Sequence, residues 1–275
     1  MFCWLRVSGL IDQWTGPSSH KEATWVFFLL LQVCHFLTAG QARSVRPCLK
    51  QLQASIQAIT NTANANSVSF QNTSSVSSTA SGPVGNADFS SAAPSSNPGD
   101  FFHWVDRDQM CILVYLVTVM HATQAGQVDK ALKYSEKALS QLDKMKSAEV
   151  DNPLLWTFQL ILLEHVILCR LVSGPKCTAI QEICQACAIA TKHHRLMSVH
   201  RAQLHTLLGL YAMSLSLMEP AEAQFNSALR LAQDTDLWIF VNLNLAIVYL
   251  RTGKEQDFYG LLERINPERL HTRAS

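Results

Sequence analysis

Apolar residues recur along this chain at the 3.6-residue spacing of helices, and the phase of that pattern resets five times. It predicts helical hairpins over about 21–39 with 43–59, 107–124 with 128–146, 153–172 with 176–192, 197–215 with 219–233, and 237–251 with 254–265. No stretch alternates as a strand does, so the expectation is all-α, with about ten helices. One ruler fits every reset. Gly126 is followed by Ala131 at +5 and Ala138 at +12, and Gly174, Ala179 and Ala186 repeat that spacing. Ser216, Ala221 and Ala228 keep it with the glycine changed. Gly40, Val45, Leu52 and Gly253, Phe258, Ile265 keep it with larger residues in the alanine slots. A bulky residue stands at +9 in Leu49, Ile183, Phe225 and Leu262.

Each slot has a physical reason. A helix that must stop within a hairpin needs a residue that enters the left-handed region cheaply, and glycine does. Two alanines seven apart lie on one face of the second helix, so a neighbouring helix can come close. The bulky side chain between them fills the remaining groove. Leu208-Gly209 and Asn244-Leu245-Ala246 fit the first helix of such a hairpin. This is the internal periodicity of a tetratricopeptide (TPR)-like repeat, which stacks into a right-handed superhelix or solenoid.

Between the first two hairpins, residues 61–100 are rich in Ser, Asn, Thr and Ala, hold Gly82-Pro83, Pro94 and Pro98-Gly99, and carry only Asp88 and Asp100 as charges. Such a composition buries too little apolar surface to order itself, so a disordered insertion is expected there. The organisation is then 1–60 as a first hairpin after a partial helix ending near Trp14, the insertion, 101–267 as repeats, and 268–275 as a polar tail. Pro47 falls inside a helix by this phasing, which predicts a late start or a kink.

The chain is 48% apolar and 16% charged, with a net charge of +1 and no basic cluster, so direct nucleic-acid binding is not expected. The eight cysteines are spread through helical pattern with no signal peptide apparent, which reads as buried thiols in a reducing compartment. The apolar run 25–31 is too short for a membrane span once Gln32, His35 and Gly40 are counted. Cys184-Gln-Ala-Cys187 has the spacing of half a zinc site, with Cys169, Cys177, His193 and His194 nearby in sequence. It lies in a repeat helix, where cysteine also serves as a small apolar filler. Without a second such pair, no metal or other cofactor is expected. No nucleophile–base pair, phosphate loop or shielded carboxylate pair is present either, so no enzyme activity is expected.

The candidate binding surface is the inner face of the first helix of each hairpin. Its positions are Phe27, Leu30, Cys34, Leu37; Leu113, Leu116, Met120, Thr123; Ile161, Glu164, Leu168, Leu171; Gln203, Thr206, Leu210, Met213; and Phe240, Leu243, Ile247, Leu250. Most are apolar, which fits a long hydrophobic partner segment or a tightly closed superhelix rather than a charged peptide tail. Ordinary packing between units is the alternative. The candidate partner-binding residues are Met120, Leu168, Leu171, Leu210, Met213, Ile247 and Leu250.

Four strings carry a specific resemblance: Cys111-Ile-Leu-Val-Tyr-Leu-Val-Thr-Val-Met-His121, Ala202-Gln-Leu-His-Thr-Leu-Leu-Gly-Leu-Tyr211, Ala221-Glu-Ala-Gln-Phe-Asn-Ser-Ala-Leu-Arg230 and Leu261-Leu-Glu-Arg-Ile-Asn-Pro267. They closely resemble the MAU family of chromatid cohesion factors, the TPR subunits of the cohesin-loading complex. Val26-Phe-Phe-Leu-Leu-Leu-Gln-Val33 and Arg46-Pro-Cys-Leu-Lys-Gln-Leu-Gln53 resemble the same family, so the likeness covers about 8–60 and 101–267. It implies a nuclear, chromatin-associated, non-catalytic adaptor that wraps the extended N-terminal segment of the Nipped-B-like large subunit. Cohesin is then an indirect partner, with a role in loading and sister chromatid cohesion. The family has further repeats on both sides, so this chain is expected to correspond to its middle, as a fragment or short form. The alternative is a generic TPR co-chaperone, which would need a basic clamp that the inner face lacks; a zinc or redox protein comes third.

Overall fold

The computed structural model describes residues 2–15, 18–71, 105–148, 152–174 and 176–266. Eleven helices and no strand are found among them. They are α1 (Phe2–Asp12), α2 (Ser18–Thr38), α3 (Ala42–Gln71), α4 (Arg107–Gln124), α5 (Val128–Ala148), α6 (Pro153–Ser173), α7 (Lys176–Lys192), α8 (His194–Ser214), α9 (Met218–Leu231), α10 (Thr235–Thr252) and α11 (Glu255–Arg264). This is the expected all-α helical-repeat fold, with α1 as an additional helix before the first hairpin. The chain divides into two compact units, 1–117 and 118–275, with the division falling inside α4.

The hairpin corners form as the ruler requires. Gly40, Gly126, Gly174 and Gly253 have φ of 65°, 68°, 114° and 69°, and Ser216 reaches 62° in the same slot. At four corners the residue after the slot donates its N–H back into the helix: Gln41 to Phe36, Gln127 to Ala122, Leu217 to Ala212 and Lys254 to Tyr249. At Gly174 the next residue is proline, which has no N–H. There the cap is the single bond from the Gly174 N–H to the Arg170 carbonyl.

In the first unit, α1 packs on α2 and α2 on α3. Val45, Leu49 and Leu52 of α3 are buried, as are Val26, Leu29, Val33 and Leu37 of α2. Two expectations need correction here. Helix α3 neither starts late nor stops at residue 60. Pro47 sits in its second turn, and the Arg43 carbonyl that loses its donor belongs to an exposed residue, so water can serve it. The helix continues to Gln71, so the first eleven residues of the expected disordered insertion are helical. No Gly or Pro interrupts 61–71, and Ala63 and Ala65 favour the helix, so propagation meets no breaker before Gly82. Residues 72–104 lie outside the described residues, as does the tail from 267.

In the second unit successive helices pack in sequence from α5 to α11, and first helices also meet across hairpins: α6 with α8, and α8 with α10. All six alanines at +5 and +12 have zero exposure: Ala131, Ala138, Ala179, Ala186, Ala221 and Ala228. Ile183 and Phe225 fill the +9 slot, and in the α5 hairpin Ser135 occupies it, its hydroxyl donating to the Ala131 carbonyl at 2.8 Å. The last hairpin departs from the ruler. Leu262 is 40% exposed and Leu261 is buried instead, because no further helix packs beyond α11 among the described residues.

Helix α6 alone among the described helices is long and apolar enough to cross a membrane. It packs against α5, α7 and α8, a position where apolarity on all sides follows from burial. Asn152 caps it, accepting the Leu154 N–H at 3.0 Å, with Pro153 in the first turn, where a missing N–H costs nothing.

Candidate functional site

The seven candidate residues all fall in the second unit, on equivalent positions of α4, α6, α8 and α10. Met120, Leu168, Leu171, Leu210 and Met213 are half-buried, whereas Ile247 and Leu250 are 43% and 61% exposed. The contacts explain the difference. Leu168 and Leu171 pack against the cluster that Leu160, Leu163 and Ile167 of α6 form with α7 and with Leu204 and Leu207 of α8. Leu210 and Met213 pack against the following cluster, built from Phe225 of α9 with Val241, Leu245 and Val248 of α10.

Polar groups on the same face also bridge successive hairpins. The Oγ1 of Thr123 on α4 lies 3.7 Å from the Sγ of Cys169 on α6. His200 Nδ1 of α8 lies 2.7 Å from Glu164 Oε1 of α6, both side chains being nearly buried. The pair gives Glu164 a partner in a site where an isolated carboxylate would be costly. The face read from sequence as a groove is therefore also the joint between hairpins. Within the second unit the slot ten residues before each corner shows it best: Glu164 and Thr206 are buried, and Leu243 is 50% exposed. On α10, Phe240, Leu243, Ile247 and Leu250 form an open apolar stripe about 15 Å long, taking 1.5 Å of rise per residue.

Sequence reasoning missed the contacts around Trp156 at the start of α6. Lys146 Nζ stands 3.9 Å from the ring centroid, Lys192 Nζ 5.3 Å away, and the His193 ring stacks at 4.9 Å. Burial lowers the Lys146 pKa, and its ammonium also donates to Gln159 Oε1. The four residues come from α5, α6, the last turn of α7 and the corner after it, so no local motif announces them. Lys, Trp and His at helix ends were the available signal.

The cysteine expectations can also be placed. Cys184 is exposed and Cys187 half-buried on α7, and burial raises the Cys187 thiol above its ordinary value. Such a rise disfavours the thiolate that would bind metal or attack a disulfide. Among the described residues, no three of His, Cys, Asp and Glu converge as a metal site would require.

Close-packed hairpins with repeated left-handed corners and an apolar first-helix face define a helical-repeat protein of the TPR type. A sequence profile described as cohesin loading factor matches residues 3–274, and the chain belongs to that family. The matched span takes in both the serine-rich stretch and the tail. The MAU2 chromatid cohesion factor homologs of Drosophila persimilis and Drosophila willistoni are 42% and 43% identical over 274 and 275 residues, each across 98% of this chain. The Drosophila melanogaster homolog is 43% identical over 274 residues. The chain spans about two fifths of the length of these relatives: 40%, 38% and 40%. The crystal structure of BtubC (BKLC) from P. vanneervenii aligns with 93% of this chain and 84% of its own, with a TM-score of 0.53. At 13% identity that likeness concerns the fold alone.

Proposed function

We propose that this chain acts as an adaptor in cohesin loading on chromatin in the nucleus, and so in sister chromatid cohesion. Its work on this reading is to hold a partner, with no chemistry of its own. The partner is the extended N-terminal segment of the Nipped-B-like large subunit, and it lies along Met120, Leu168, Leu171, Leu210, Met213, Ile247 and Leu250. Family membership supports the cohesin-loading role. The observation that carries the partner reading is the open apolar stripe of α10, on the same face as the other candidates. A stripe of this size and regularity is what an apolar segment requires to dock.

The test is a pull-down of the co-expressed chain and segment, with Ile247→Asp and Leu250→Asp combined. Both side chains are exposed, so the variant keeps its fold, unlike changes at the half-buried Leu168 or Leu210. Loss of the complex with an unchanged helical spectrum is the expected result. Wild-type strength of binding in the double variant, or no binding by the unmodified chain, overturns the partner reading.

A further inference from the structure

We draw no further inference here: the strongest candidate, the pocket of about 420 Å³ that Arg230, Trp238, Asn242 and Arg264 line between α9, α10 and α11, is bounded on one side by Arg264, just before the described residues end at Asn266, and nothing in the structure shows what covers it.

Discussion

Helices α8 and α10 carry corresponding faces of consecutive hairpins, yet one is closed and the other open. Thr206 is fully buried and Leu210 half-buried on α8, while Leu243 and Ile247 in the same slots of α10 stay 50% and 43% exposed. The sequences alone would suggest the reverse, since α8 has Gln203 and Thr206 where α10 has Phe240 and Leu243. In a repeat array a residue's burial is thus set by its neighbour as much as by its own hydrophobicity. The closed joint should govern stability, and the open end association.

The largest effect is expected in the joint, from Phe225→Ala. Its ring is fully buried between α8, α9 and α10, and its removal should cost about 3–5 kcal/mol. Urea unfolding should show the midpoint fall sharply with little change in slope. A second effect is dependent on pH. His165 lies beside Glu164 on α6, its Nδ1 buried without a partner, and burial pushes its pKa down to about 4. The folded state resists protonation that the unfolded chain accepts near pH 6.5, so stability should fall as pH drops from about 6.5 towards 4. The width of that window sets a ceiling of about 3 kcal/mol, which residual exposure of the ring reduces. Comparing His165→Leu with the unmodified chain across the same pH range isolates the effect, and parallel stability curves would refute it.

Gly209→Ala tests how tightly the same joint is closed. A Cβ there would stand 2.6 Å from the Phe225 ring, so the ring or the helix must move, at about 1–3 kcal/mol. Calorimetry should show a lowered Tm. Combining Gly209→Ala with Phe225→Leu should cost less than the sum of the two changes, because the smaller side chain relieves the clash. A gain is expected at the corner before α9. Ser216 bears a φ of 62° in a slot that glycine fills elsewhere, so Ser216→Gly should stabilise by about 0.5–1 kcal/mol. An unchanged or lower Tm would show that the corner carries no strain.

Much of this architecture was legible because the slots encode local physics. A left-handed corner needs glycine, and close helix approach needs alanine, whatever lies further along the chain. The Ser216 corner was readable for the same reason, since its flanking alanines keep the register. The extent of α3 was not, because a polar, amide-rich sequence tells against a buried helix without telling against a helix as such. The Glu164–His200 contact spans 36 residues and belongs to no motif. At α10 the difficulty was of another kind. With Leu245 and Val248 on its buried side and Phe240 and Leu250 on its open side, the helix is apolar all round. Periodicity therefore had no polar face by which to separate core from docking surface.

The smallest stability effect should accordingly come from the most apolar face. Leu243→Ala removes a large side chain, but one half in water and covered by no following helix among the described residues, so the chain should lose less than about 0.5 kcal/mol. Leu207→Ala makes the same chemical change one hairpin earlier at a fully buried position, and should cost about 2–5 kcal/mol. Unfolding both variants at low micromolar concentration keeps intermolecular contacts from adding to the measured stability. If Leu243→Ala were as damaging as Leu207→Ala, α10 would have to be covered by part of this chain, and the contrast between closed joint and open end would fail. If the two differ as expected, the stripe on α10 contributes little to folding, and its hydrophobicity is free to act in association.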